Sequence, residues 1–286
     1  MFKKLIFYWE IEMDSYKNKM VLVTGASSGI GKAMAIDLAA AGAELILTAR
    51  SHDLLEALAN QINKNGGQAH VFVADLAEAG SAETLHAQIT EAKLHVDILV
   101  NNAGYGRWGK FGEFTREDYA DMIQLNITSL TDLCHLFMPA MVGKGEGGII
   151  NIGSSASFLP VPYASVYSST KAYVLMLSEA LRYEYKDKNV RVMASCPGAT
   201  DSNFRNTASE KSSEGLKERI SKLKGEGQVG DTCERVSQET LDAFIQNKHY
   251  IVPGKGNSKF AFLPRILSRA RVLKLTGDTF KKHTAS

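Results

Sequence analysis

Two side chains four residues apart, Tyr167 and Lys171, carry the most specific chemistry in the chain, and Ser154 lies thirteen residues before the tyrosine. Positions i and i+4 of a helix share a face, so a phenol and an ammonium would sit side by side. A free phenol titrates near ~10 and is a poor acid–base catalyst at neutral pH. A cation beside it favours the phenolate and lowers that value. A serine hydroxyl delivered from a strand end could hold a substrate oxygen next to the phenol. This is the chemistry of proton transfer. Ser155 adjoins Ser154, but the spacing to the tyrosine selects Ser154, and the residue four after Tyr163 is Tyr167, not a lysine.

The flanking sequence supplies elements able to position these groups. Apolar runs at 20–25, 44–50, 69–76, 96–104, 147–154, 189–198 and 249–254 read as strands. Helical segments read at 29–43, 51–67, 78–94, 115–142, 164–188 and 234–247, with Ser51 as an N-cap and Pro139 as a kink or break. The strands are continuous apolar runs rather than alternating ones, the mark of burial on both faces by covering helices. Regular strand–helix alternation then predicts a doubly wound α/β domain with a parallel sheet.

The first strand runs into Thr24-Gly25-Ala26-Ser27-Ser28-Gly29-Ile30-Gly31, which opens a helix. Glycines permit a tight turn and close backbone approach to a pyrophosphate, and the helix N-terminus favours the anion. The spacing is G-x-x-x-G-x-G rather than the commoner G-x-G-x-x-G. At the end of the second strand, Thr48-Ala49-Arg50-Ser51 contains no acid to hold ribose hydroxyls. Arg50 suits the 2′-phosphate of NADP instead. Asp75 and Leu76, ending the third strand, either meet an adenine ring or, in the case of the aspartate, cap a helix.

Composition narrows the class. The 286 residues are 44% hydrophobic with net charge +2, enough apolar content for a sizeable core and no overall bias toward a charged partner. Three cysteines, Cys134, Cys196 and Cys233, without a C-x-x-C pair, fit free thiols in the cytoplasm and neither a disulfide frame nor a zinc site. No apolar run is long enough to span a membrane. Residues 1–18 read as a short extension, 19–254 as the dinucleotide-binding and catalytic domain, and 255–286 as a basic amphipathic tail with eight Lys/Arg against one Asp. Met13 is an alternative start to Met1. The tail mixes Phe260, Phe262, Leu263, Ile266, Leu267, Val272 and Leu275 with cations, a pattern suited to peripheral contact with an anionic membrane or to packing on the domain.

Taken in order, TGASSGIG, Asn101-Asn102-Ala103-Gly104, Asn126, Ser154, Tyr167-Ser-Ser-Thr-Lys171 and Pro197-Gly198 make the chain resemble the short-chain dehydrogenase/reductase family in its compact single-domain branch. The resemblance covers about 19–254 and implies a Rossmann-type three-layer sandwich, here with a C-terminal helical extension. It implies that Tyr167 is the general acid–base residue and that Lys171 lowers its pKa and bonds the nicotinamide ribose. Ser154 would orient and polarise a substrate carbonyl, and Asn126 would hold a water linking Lys171 to solvent. Gly25, Ser27, Ser28, Gly29 and Ile30 would line the cofactor phosphates, and Asn102, Ala103 and Gly104 its ribose. Pro197 and Gly198 would lie along the nicotinamide. The hydroxyl that meets the carboxamide falls on Ser202 or Thr200. Ser28 stands where some NADP-preferring members carry a basic residue, so NADP rests on Arg50.

The implied reaction is hydride transfer from NADPH to the carbonyl of a ketone, aldehyde or oxoacyl substrate, by a homodimer or homotetramer that needs no metal and binds no nucleic acid. Gly106, Arg107, Trp108, the run Phe158 to Pro162 and Phe204 would flank the substrate and make it hydrophobic. Residues 203–230, polar with scattered glycine, read as a mobile insertion suited to a lid. The alternative is a cofactor-binding sensor or scaffold without turnover, which has no need of the serine, tyrosine and lysine all present here. An epimerase or dehydratase of the extended branch would want another glycine spacing and a longer substrate domain.

Overall fold

The structure, a computed structural model, describes residues 15–201 and 230–284. Ser202, Phe204 and the expected lid up to residue 229 lie outside the described residues. In chain order the elements are β1 (Met20–Thr24), α1 (Gly29–Ala40), β2 (Glu44–Ala49), α2 (His52–Lys64), β3 (Gln68–Val73), α3 (Ser81–Glu91) and β4 (Ile98–Asn101). They continue with α4 (Arg116–Ile123), α5 (Ser129–Lys144), β5 (Gly147–Ile152), α6 (Ser165–Tyr185), β6 (Val190–Ser195), β7 (Thr200–Asp201) and β8 (Asp231–Thr232). Last come α7 (Cys233–Ile245), β9 (Tyr250–Ile251), α8 (Ser258–Ile266) and α9 (Arg269–Thr284).

Seven strands form one parallel sheet in the order β3-β2-β1-β4-β5-β6-β9. The order reverses between β1 and β4, which is where a doubly wound sheet opens a crevice at its carboxyl edge. Alternation along the pleat divides the core. Val21 and Val23 join Met34 and Leu38 of α1, Leu58 of α2 and Phe244 of α7 on one side. Met20 and Leu22 join Leu85 of α3, Phe137 of α5 and Val174 of α6 on the other. Both faces are therefore covered, as the apolar runs predict. The exception is β3, at the edge, whose central residues are half-buried and whose end residues Gln68 and Val73 are exposed. Ahead of β1, Tyr16 is buried and its hydroxyl donates to Leu241 O of α7 at 2.8 Å, so part of the expected N-terminal extension is packed.

Pro139, where the sequence predicts a kink or break, does not break the helix: α5 runs through it. The proline lies on the exposed side, while Leu133, Cys134, Phe137, Met138 and Met141 bury the opposite face and hold the helix together. A true irregularity occurs earlier, as a single π-turn over Gln124–Thr128 between α4 and α5. Ser51 occupies the N-cap position of α2, but its side chain makes no capping bond.

Candidate active site

Helix α6 delivers Tyr167 and Lys171 on the face that it also buries through Val174, Leu175 and Ser178. The site therefore sits at the seam between helix and sheet. Lys171 Nζ donates to Ile152 O, the last residue of β5, at 2.8 Å. Just beyond that strand, Ser154 caps a short 3₁₀ turn over Ser155–Phe158: Ala156 N donates to Ser154 Oγ and Ser154 N donates to Ser157 Oγ, both at 3.1 Å. Ser157 Oγ in turn donates to Lys171 O at 2.7 Å, so the serine turn is pinned to the helix that carries the tyrosine. The spacing of Ser154 and Tyr167 is thus converted into proximity, with the Ser154 hydroxyl near enough to favour the ionised phenol.

Electrostatics depart from the expectation that the lysine lowers the tyrosine. Burial pushes the Tyr167 phenol up to about 12, and the Ser154 hydroxyl offsets only part of this. Burial also pulls the Lys171 ammonium down to about 8. Lys171 is 4% and Tyr167 8% exposed, so removal from water outweighs a cation aimed at a backbone carbonyl.

Asn126 sits in the π-turn, an irregularity that recurs at functional sites because it redirects a side chain. Its Nδ2 donates to Tyr105 O at 2.9 Å and to Thr170 Oγ1 at 3.1 Å, and its Oδ1 accepts from Tyr105 N at 3.2 Å. Gly104 closes the same corner. A Cβ there would stand 3.0 Å from Asn126 Oδ1 and 3.4 Å from Lys171 Nζ. Gly104, Asn126 and Lys171 thus lie near one another, and the hydrogen bonds of Asn126 go to protein groups.

The glycine loop expected to cradle a dinucleotide lies at the carboxyl ends of β1 and β4. Gly25 adopts φ +64, and a Cβ on it would approach Asn102 Nδ2 to 2.9 Å and Ala103 Cα to 3.1 Å. Asn102 Nδ2 donates to Thr24 O at 2.9 Å and to Gly25 O at 3.2 Å, which ties the loop to the end of β4. Thr24 completes the tie: its Oγ1 accepts from Asn102 N and Ala103 N, both at 2.9 Å. The sequence places Thr24 at the head of the glycine loop but assigns it no role. Helix α1 starts at Gly29 with Ser28 as N-cap and no acid in its first turn. Backbone N–H groups at a helix N-terminus free of acids, next to a loop that only glycine can follow, fit a dinucleotide phosphate.

Arg50, at the end of β2, is 63% exposed, and its Nη1 lies 3.9 Å from Asp75 Oδ2. Asp75 Oδ1 accepts from Ala77 N at 3.0 Å, so it shapes the turn after β3 and does not cap α3, whose N-cap is Gly80. Leu76 is buried, and its carbonyl accepts from Ser129 Oγ at 2.6 Å. Pro197 O accepts from Ser155 N at 2.8 Å and so joins the serine turn. Gly198 lies against Asn257, just ahead of α8, and Thr200 Oγ1 donates back to Gly198 O at 3.2 Å.

On the substrate side, Trp108 packs on the Tyr167 ring at 5.4 Å, and a Cβ at Gly106 would touch both rings at 3.0 Å. Arg107 Nη2 pairs with Asp118 Oδ1 at 2.7 Å and anchors this loop to α4. Leu159 and Val161 join Tyr105, Met122 and Tyr167 in one apolar cluster. Phe158 does not: it packs against Tyr250 at 5.4 Å, beside Leu175 and Cys196, and belongs to the core rather than the substrate wall. An apolar residue of the amphipathic tail enters instead. Val272 of α9 is 1% exposed inside the Tyr167 cluster, with Leu263 and Leu267 packed against it. Thr276 Oγ1 donates to Pro160 O at 3.0 Å, so the tail is latched over the loop before α6.

Comparison with known proteins agrees with this geometry. A family profile described as short chain dehydrogenase matches residues 19–213. The "Probable oxidoreductase EphD" of Mycobacterium tuberculosis is 32% identical over 190 residues, 66% of this chain, and the chain spans only 32% of that protein's length. The sulfoacetaldehyde reductase of Chromohalobacter salexigens is 35% identical over 186 residues, covering 64% of this chain and 73% of the reductase. Among solved structures, a short-chain dehydrogenase from Sphingobium yanoikuyae in complex with NADPH superposes with TM-score 0.75 at 30% identity, covering 86% of this chain and 92% of that one. With its motifs at the carboxyl edge of a seven-stranded parallel sheet and a profile match over more than half its length, the chain belongs to the short-chain dehydrogenase/reductase family, whose members bind NAD(P).

Proposed function

We propose that the protein is an NADPH-dependent reductase of a hydrophobic ketone, aldehyde or oxoacyl compound. The observation that carries the reading is the half-buried Ser154 hydroxyl beside the Tyr167 phenol, which is buried in an apolar cluster one helical turn from Lys171. When bound, the nicotinamide supplies a hydride to the carbonyl carbon. Ser154 Oγ and Tyr167 Oη donate hydrogen bonds to the carbonyl oxygen, and Tyr167 passes its proton to that oxygen as it gains charge. A phenol held near 12 is fully protonated at neutral pH, so the donor stays charged with its proton until the oxygen becomes basic enough to take it. Lys171, held by Ile152 O one helical turn from Tyr167, keeps a positive charge near the phenol as it gives up its proton. Trp108, Leu159, Val161 and Val272 keep water from the pair, which strengthens each of these interactions.

Two observations support NADPH over NADH. Arg50 is an exposed cation at the end of β2 where no acid occurs in Thr48–Ser51, and a 30% identical relative was solved with NADPH. We read the working protein as a cytoplasmic homo-oligomer, supported by three buried free thiols and by exposed Tyr173, Met176 and Tyr183 along α6. The test is consumption of NADPH and NADH by the purified protein across ketones, aldehydes and oxoacyl thioesters. Tyr167→Phe is expected to lower kcat at least about a hundredfold, the usual contribution of a positioned general acid. Undiminished turnover in that variant, or a parent protein that binds neither nucleotide, overturns the proposal.

A further inference from the structure

We infer that the outward face of helices α8 and α9 docks on an anionic phospholipid surface. The two helices lie outside the residues matched by the family profile. Their inner face is accounted for: Ala261, Leu263, Leu267 and Val272 are buried or half-buried, and α8 packs on the serine turn after β5. The outer face is not. Phe262 is 57% and Ile266 62% exposed, and four residues apart on α8 they share one side of the helix. Phe260, Leu273 and Leu275 are also exposed, at 45%, 48% and 50%.

The charge around these residues selects the occupant. Lys259, Arg265, Arg269, Arg271 and Lys274 are all exposed, and the tail contains one acid, Asp278. Lysine and acids are both depleted at the cores of protein interfaces. A surface with exposed aromatic and aliphatic side chains, interleaved with lysine and arginine and almost free of acids, instead matches helices that lie in the headgroup region of a bilayer. Their long side chains keep the charge at lipid phosphates while the methylene stems cover apolar surface. No helix among the described residues is long and apolar enough to cross a membrane, so the contact is peripheral. Chain charge points the same way: the tail is strongly basic, whereas the remainder carries a net negative charge that would keep its other faces off an anionic surface. Through Val272, the docking face lies directly behind the wall of the Tyr167 cluster.

Sedimentation of the full chain with vesicles of phosphatidylcholine alone, or of phosphatidylcholine with phosphatidylglycerol, tests the inference. The parent protein is expected to pellet with the phosphatidylglycerol vesicles only, and to be released by high salt. The double variant Phe262→Ser/Ile266→Ser is expected to lose about tenfold in vesicle affinity, and Arg265→Glu/Arg269→Glu about a hundredfold. Unaltered thermal melts and carbonyl reduction in both would show that folding and the site are intact. Tyr167→Phe is expected to bind vesicles as the parent does, which separates membrane docking from turnover. A parent that stays in solution with both vesicles, or a serine variant that binds as tightly as the parent, overturns the inference. So does a sedimentation equilibrium in which the serine variant alone falls to half the parent mass and neither protein binds lipid, since the face would then join two copies of this chain.

Discussion

Replacing Lys171 with methionine tests whether burial governs the site's charge. The two side chains are close in length, and the exchange removes one ammonium from a position that is 4% exposed. Lys171 falls from its ordinary 10.5 to about 8 in the folded chain, which corresponds to about 3 kcal/mol of linkage at roughly 1.4 kcal/mol per pH unit. Below about pH 8 the lysine is charged in both folded and unfolded chains, and folding bears the full cost of burying it. As pH climbs from about 8 toward 10.5, the folded chain gives up this proton first and the parent gains stability. Tyr167 acts in the opposite sense above its ordinary 10.0, because burial holds it near 12 and the unfolded chain loses the phenolic proton first. That contribution is common to parent and variant and cancels in the difference. Urea unfolding of both proteins, followed by tryptophan fluorescence from about pH 7 to about pH 10, should show the parent gaining about 2–3 kcal/mol on Lys171→Met across that range. Stability curves that stay parallel would refute the account. They would mean that the bond to Ile152 O, at 2.8 Å, holds the ammonium at its ordinary value despite burial.

Other expectations concern the cofactor and the corner behind the tyrosine. Arg50→Ala should raise KM for NADPH about tenfold to a hundredfold, the worth of a charge-assisted bond, and leave KM for NADH nearly unchanged; steady-state kinetics with both nucleotides decides it. Gly104→Ala places a methyl 3.0 Å from Asn126 Oδ1 and 3.4 Å from Lys171 Nζ. Its backbone is not left-handed, so folding should survive at a cost of about 1–2 kcal/mol, whereas displacement of Asn126 should lower kcat about tenfold or more. Thermal melts read alongside kcat separate the two effects, and an unchanged kcat would remove Asn126 from the working site.

Local chemistry was legible in the chain because it depends on neighbours a few residues away. Apolar runs reported strands covered on both faces, the glycines of 25–31 reported a phosphate turn, and the interval from Tyr167 to Lys171 reported one helical face. The α/β architecture followed from those signals, and so did the expectation that Ser154, Tyr167 and Lys171 lie together, whereas Asn126 and Gly104 entered only through the family resemblance.

Features decided by tertiary structure depend on what the whole molecule places around a group. Spacing suggested that Lys171 would lower the Tyr167 phenol, but desolvation is set by every atom that replaces water: it raises the phenol and, with no sequence signal, lowers the lysine. Phe158 reads as a substrate-wall residue by its place beside Ser154, yet the 3₁₀ turn directs it to Tyr250 and the core. Pro139 signals a break, and the burial of the opposite face of α5 overrides it. Thr24 opens the glycine motif and Val272 belongs to the amphipathic tail, but neither pattern told what the side chain would touch. One becomes the fastening between β1 and β4, and the other, 105 residues after Tyr167 in the chain, becomes part of the tyrosine's wall, because only folding brings a distant helix across the site.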